Sequence, residues 1–252
     1  MKTMIQAHRG ASGYCPENTL EAFSLAIKQG ADCIELDVHL SSDGEIVVAH
    51  DERLERVSNG VGYINDHTLK ELKKLNFGVL AADGPVCRVP VLSEVFSLVR
   101  PTALTLNIEL KTTKRLYPDL PEKLTALVRE YKLEDRILYS SFNHYSLQHI
   151  KKINPEARTG LLYKFGMLDP WVYANYAGAS AIHPYYSVIM ALPDTVERCH
   201  ENNVLVNVWT VDDSETITQM LKYGVDGIIT NRPDIAVALR DALRDALRDK
   251  YQ

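Results

Sequence analysis

The sequence predicts an α/β fold, a (βα)8 barrel carrying a small loop insertion, and three observations lead there. Short β-rich apolar runs alternate with amphipathic stretches along the whole chain, the pattern of repeated βα units around a parallel sheet. The 252 residues are 46% hydrophobic and 24% charged, an ordinary globular composition able to bury a core. A length near 250 fits two modest domains or one large barrel, and the unbroken rhythm favours the single unit, spanning residues 1–252.

The strand candidates are MIQAH (4–8), CIELDV (33–38), IVVAH (46–50), LTLNIEL (104–110), RILYSS (136–141), RTGLLY (158–163), SAIHP (180–184), VLVNVW (204–209) and DGIIT (226–230). These are nine runs where a closed barrel takes eight. The surplus falls in the first third, because SSDGE (41–45) joins two runs too closely to contain a helix, so one connection there is irregular.

Helices fit between most runs. Asn18 or Thr19 caps a segment reaching Lys28, and DSETITQMLKYG (213–224) opens on Asp/Ser and closes on Gly. Residues 51 to about 90 break the rhythm with clustered Gly, Asn and Asp and one clear helix, TLKELKKL (68–75), and read as an insertion on one barrel loop. The tail repeats ALRD from Ala238 to Asp249, which sets Leu239, Leu243 and Leu247 at i+4 spacing on an amphipathic helix.

A net charge of -5 argues against nucleic acid or an anionic membrane surface as partner, since both reward a clustered positive field, and leaves a small-molecule substrate. The cysteines, Cys15, Cys33, Cys87 and Cys199, are far apart and form no metal-ligand spacing. No stretch approaches the roughly 18 apolar residues of a membrane span, and the first residues lack a signal-peptide core. The default reading is a reduced, cytoplasmic protein without stable membrane insertion, and assembly into a homo-oligomer stays open.

Polar residues with chemistry gather where the apolar runs stop. His8-Arg9-Gly10 ends the first run, and barrels build their pockets at the C-terminal ends of strands. Glu35 and Asp37, two apart, share one face of a strand, which is costly inside an apolar run unless positive charge lies between them. Glu109 comes near another strand end, with Lys111 two residues on. Three carboxylates suit a hard divalent cation. His50, followed by Asp51, closes a further run and mirrors His8. Two histidines near neutral pKa beside a cation, Arg9 and Lys111 describe a site able to bind a phosphodiester and shuttle protons.

At this level the chain resembles the glycerophosphodiester phosphodiesterase family. The residues that carry the likeness are HRG (8–10), PENT (16–19), GADCIELDV (30–38), SDG (42–44), VVAHD (47–51) and IELK (108–111), then TLKEL, VPVLSEV, SSFN, VNVWTVD and GVDGIITNRP in one order along the chain. The resemblance implies a TIM barrel that hydrolyses glycerophosphodiesters to sn-glycerol 3-phosphate and an alcohol. It implies His8 and His50 as the acid/base pair, Glu35, Asp37 and Glu109 as ligands of Ca2+ or Mg2+, and Arg9 and Lys111 at the phosphate. Trp209 matches an aromatic pocket wall, and a large aromatic on a barrel strand fits core equally. Departures are Ser42, Val91, Ser93 and Asn231, where the family commonly has Lys, Thr, Glu and Asp. Two other readings are a lysophospholipase D or sphingomyelinase D type of cleavage, which needs an apolar channel, and a non-catalytic barrel that binds phosphoryl ligands. His39, His183 and Tyr185 are pocket-lining candidates, while His67, His144, His149 and His200 read as surface residues.

Overall fold

The computed structural model describes residues 3–79 and 86–249. Eight of its strands run parallel: β1 (Met4–His8), β2 (Cys33–Leu40), β4 (Thr105–Leu110), β5 (Ile137–Ser141), β6 (Arg158–Tyr163), β7 (Ala181–Pro184), β8 (Leu205–Val208) and β9 (Gly227–Thr230). Their order is β1-β9-β8-β7-β6-β5-β4-β2, and β1 also pairs with β2, so the sheet closes into the expected barrel. The ninth strand, β3 (Ile46–Val48), is the surplus run. It pairs antiparallel with β2, Leu40 against Ile46, and stays outside the ring. That pairing extends β2 to Leu40, beyond the Val38 predicted from apolar periodicity.

Helices between the strands bury their apolar faces on the sheet. Thr19 Oγ1 accepts from Ala22 N at 3.2 Å to open Leu20–Lys28, and Asp213 Oδ1 accepts from Thr216 N at 2.8 Å to open Ser214–Tyr223, which ends on Gly224 in the left-handed conformation. The last helix, Pro233–Asp249, packs against β1 and β9, and Arg240 of that helix pairs with Asp32 just before β2. The side chain of Leu247 lies outside the described residues.

In the stretch between β3 and the helix Leu92–Val99, read from the sequence as an insertion, residues 80–85 also lie outside the described residues. Leu54, Val57, Ile64, Leu72, Phe77 and Val89 form a small core of their own against Val47 and Ala49. The predicted helix 68–75 is shorter: a Thr68–Glu71 capping box starts it, and it spans only Leu69–Leu72 before the chain turns. A second short helix, Leu54–Val57, and a 3-10 turn, Ile64–Asp66, also occur there.

The barrel interior is polar below the pocket. Asn107 donates to Gln6 at 3.0 Å and accepts from Ser140 at 2.8 Å, and Asn207 donates to His183 Nε2 at 2.9 Å. Two glycines make room for these groups: a Cβ on Gly160 would stand 2.3 Å from His183 Nε2, and one on Gly227 would stand 2.2 Å from Asn207 Oδ1.

Candidate active site

His8 is the last residue of β1, and Arg9 turns away from it with φ +54°, the left-handed region that side chains other than glycine rarely occupy. That turn sends the Arg9 backbone N–H to Glu35 Oε2 at 3.0 Å and its guanidinium toward Asp37, with Nε 3.4 Å from Oδ2. Asn18, also left-handed at φ +56°, donates from Nδ2 to Asp37 Oδ2 at 2.9 Å. Strained backbone at two adjoining loop positions is thus tied to the same carboxylate.

Glu35, Asp37 and Glu109 are buried, and one carboxylate oxygen from each lies within 4.8 Å of the others. Lys111 Nζ donates to Glu109 Oε1 at 2.8 Å and stands 3.5 Å from Asp37 Oδ1. Burial works against the Lys111 charge, but Glu109 and Asp37 outweigh it and hold the ammonium above its ordinary value. Burial likewise opposes ionisation of Asp37, yet Lys111, His50 and Arg9 keep it a carboxylate. Glu35 is pushed well above the ordinary range by burial and by Asp37 and Glu109, and burial lifts Glu109 to about 7.

Fully ionised, the three clustered carboxylates would exceed the two cationic side chains, Arg9 and Lys111, by one negative charge. Buried Asp37 Oδ1 makes no hydrogen bond, and two of the acids sit above their usual range. An oxygen-only donor set of this kind fits a hard divalent cation, whose charge would answer both the orphaned oxygen and the raised acids.

The two histidines are held by different partners. His8 Nδ1 lies 2.7 Å from Asn231 Oδ1, and burial, followed by the Arg9 charge, lowers its imidazole to about 4. His50 Nδ1 lies 2.5 Å from Asp51 Oδ1, and burial lowers it too, against the pull of Asp37. Arg56, from the insertion, donates from Nε to Asp51 Oδ2 at 2.6 Å and from Nη2 to Glu17 Oε1 at 2.8 Å, while Glu17 also accepts from Arg9 Nη1 at 3.0 Å.

His8, Arg9, Glu35, His50, Glu109 and Trp209 line one cavity of about 70 Å³ at the C-terminal end of the barrel. Trp209 is half-buried and belongs to the wall, not the core. Phe142 and Tyr185 pack edge-on against it at 5.4 and 5.3 Å between centroids, and its Nε1 donates to His183 O at 2.8 Å. Of the residues proposed for catalysis, metal and phosphate, Asp37 and Lys111 do not line this cavity but stand against residues that do, Asp37 beside Arg9 and Lys111 beside Glu109.

Of the other histidines, His39 is buried behind the site, donating from Nε2 to His50 O at 3.1 Å and accepting from Tyr117. His183 is fully buried beneath it and Tyr185 backs the wall, so neither histidine faces the cavity. His144, expected at the surface, is half-buried with both ring nitrogens bonded, to Tyr173 and Leu162 O. His149 and His200 lie near the surface and pair with Glu122 and Asp226. Asn18, Glu17, Asp51, Arg56 and Asn231 support the site, though none was predicted to. Of these, Glu17 and Asn18 lay within PENT and Asp51 beside His50, signals for a role but not for a partner.

The comparisons with known proteins fall in line with this geometry. The profile of the glycerophosphoryl diester phosphodiesterase family matches residues 8–235. The chain belongs to that family. It is 46% identical over 240 residues, covering 95% of this chain and 98% of the other, to a glycerophosphodiester phosphodiesterase of Caldanaerobacter subterraneus subsp. tengcongensis. Among solved structures, it is similar to a glycerophosphodiester phosphodiesterase of Agrobacterium tumefaciens, with a TM-score of 0.81, 32% identity, and coverage of 94% of this chain and 99% of that one. A phosphodiesterase of Oleispira antarctica, solved in complex with its product sn-glycerol-3-phosphate, matches with a TM-score of 0.81 at 28% identity over 95% of this chain and 97% of that one. No helix of this family member is long and apolar enough to cross a membrane among the described residues.

Proposed function

We propose that the chain hydrolyses glycerophosphodiesters to sn-glycerol 3-phosphate and an alcohol, with His8 and His50 moving protons. The observation that carries this reading is one strand-end cavity lined by both histidines, Arg9, Glu35 and Glu109, with Asp37 and Lys111 clustered against those acids. Residues 1–252 act as one catalytic domain, with about 51–90 an insertion on a barrel loop. The oxygen donors of Glu35, Asp37 and Glu109 would hold Ca2+ or Mg2+. A cation bound there supplies positive charge that offsets a phosphate oxygen and lowers the pKa of a hydroxyl beside it. No disulfide forms among the described residues, in agreement with a reducing, cytoplasmic setting.

Arg9 and Lys111 orient the phosphate and offset its developing charge in a water-poor site. One histidine takes the proton of the attacking oxygen while the other gives a proton to the departing alcohol, and the roles then exchange. The attacking oxygen is the glycerol 2-hydroxyl, which forms a cyclic phosphate that water opens. Direct attack by water shares the same proton traffic, and unimpaired turnover of a substrate lacking the 2-hydroxyl would sink the cyclic route. Trp209 and Phe142 wall the side on which the glycerol or alcohol part rests. A lysolipid would need an apolar channel for its acyl chain, and the many polar residues of the 51–90 segment favour a water-soluble diester instead.

The test is glycerol 3-phosphate release from several glycerophosphodiesters, with and without chelator, for wild type, His8→Ala and His50→Ala. Loss of about 10²-fold or more in each variant is expected. Full activity in either one overturns the assignment. Refilling chelated protein with Ca2+ or Mg2+ separately identifies the cation.

A further inference from the structure

Asn231 follows β9 and stands between His8 and Asp212. Its Oδ1 is 2.7 Å from His8 Nδ1, its Nδ2 donates to Asp212 Oδ2 at 2.6 Å, and its backbone N–H donates to Asp212 Oδ1 at 2.8 Å. Thr230 Oγ1 adds a donor to Asp212 Oδ1 at 3.0 Å, and Ser12 Oγ sits 2.7 Å from Asn231 Oδ1.

These contacts have one consistent arrangement of protons. A carboxylate only accepts, so Asp212 must face the NH2 end of the Asn231 amide, which turns the carbonyl end toward His8. A carbonyl oxygen also only accepts, so His8 Nδ1 must carry the proton. The neutral ring then keeps its lone pair on Nε2, which has no protein hydrogen bond among the described residues, on a side chain that lines the cavity.

We infer that Asp212 and Asn231 are positioning residues that fix the tautomer of His8, so that His8 enters the first step as the proton acceptor. His50, backed by the carboxylate of Asp51, then supplies the proton that leaves with the alcohol. The inference rests on the acid/base reading of the two histidines. It also gives the Asn at 231 a meaning: a carboxylate there would meet that of Asp212 at hydrogen-bond distance, whereas the amide joins the two.

The tautomer is read directly by long-range ¹H–¹⁵N NMR of the ¹⁵N-labelled full chain, with the His8 signals assigned by their loss in His8→Gln. A protonated Nδ1 and an unprotonated Nε2 are expected in the wild type. In glycerophosphodiester hydrolysis with added divalent cation, Asn231→Ala and Asp212→Asn should each lower kcat about 10²-fold and leave KM within about twofold. The exchanged pair, Asn231→Asp with Asp212→Asn, keeps one amide, one carboxylate and every donor matched, and should restore kcat to within about fivefold of wild type. A role confined to folding would lower the melting temperature without moving the His8 nitrogens. A proton on Nε2 in the wild type, or wild-type kcat in Asn231→Ala, overturns the inference. Because the NMR reading needs no substrate, an inactive wild type with Nδ1 protonated would defeat the hydrolase reading alone.

Discussion

His50 Nδ1 stands 2.5 Å from Oδ1 of Asp51, its own neighbour in the chain, and the far oxygen of that carboxylate is held by Arg56 at 2.6 Å. A side chain so close in sequence reaches the imidazole only if something turns it, and Arg56, reaching on to Glu17, does so. Arg56→Ala should therefore lower kcat while leaving the fold intact. A hydrogen bond to a charged group contributes about 1.5–3 kcal/mol. Arg56 is 42% exposed, and water discounts that figure. The expected loss is about tenfold, near 1.4 kcal/mol, with the melting temperature within ~2 °C. Steady-state kinetics and a thermal melt check it, and an unchanged kcat would show that Asp51 needs no such support.

Burial and mutual repulsion hold Glu35 and Glu109 above their ordinary range, a cost that a bound cation would offset. Without metal, the folded-state pKa values of Glu35 and Glu109 lie above their unfolded values, so the native state holds extra protons. It is progressively destabilised as pH rises from about 4.5 through about 7, the value for Glu109. At pH 8 with chelator, Glu109→Gln should melt above wild type. On adding divalent cation the order should reverse, because only the wild type gains the full binding free energy. Melting curves at one pH with and without cation decide it.

Metal uptake should release protons for the same reason. At pH 6.5 a group with pKa about 7 is largely protonated, and binding must discharge it. Titration calorimetry in two buffers of different ionisation enthalpy should give different apparent heats, and apparent affinity should weaken as pH falls from 8 to 6. Equal heats in both buffers would mean Glu109 is already ionised.

His8 and His39 are lowered to about 4 and His183 to about 3, all three chiefly by burial. Each folded-state value lies below the unfolded 6.5, so the unfolded chain binds more protons in between. Their contribution to stability is fully present above about 6.5 and is lost as pH falls toward 4. With cation held saturating, acid melting should begin well above the carboxylate range, and the acid limb of kcat/KM should fall below 6.5 because His8 stays neutral there. A limb at or above 6.5 would contradict the buried setting of His8.

Gly160→Ala tests the polar floor. Its Cβ would come 2.3 Å from His183 Nε2, a fully buried ring bonded to Asn207. Overpacking of this kind costs about 1–3 kcal/mol, or roughly 2–12 °C in a chain of this size. A melt within 1 °C of wild type would show that the ring moves freely.

Much of this was legible in the sequence, for physical reasons. Strand ends could be placed because the barrel strands are short β-rich runs, and the parity of Glu35 and Asp37 put both on one face without a structure. The antiparallel strand was foreseeable because SSDGE is too short for a crossover helix. What stayed hidden were partners across long separations: Asn231 lies 223 residues from His8, and Arg56 lies 39 from Glu17. Local pattern carries no information about such pairs. The helix from Thr68 was overcalled since TLKELKKL is locally helical, yet only its capped first turn is retained. His144 was misplaced because a ring bonded at both nitrogens can sit inside as readily as outside.

The position of β3 outside the ring has one further consequence. His8 ends a strand paired in register with β2 and β9, whereas His50 follows the short β3, paired with β2 on one edge and held on the other, among the described residues, only by a bridge to Val91 and a bond from Val48 N to Pro90 O. The site therefore has a fixed jaw and an outrigger jaw. Changes in residues 51–90 should act on the His50 side of the site and leave intact the hoop of strands that holds the carboxylates.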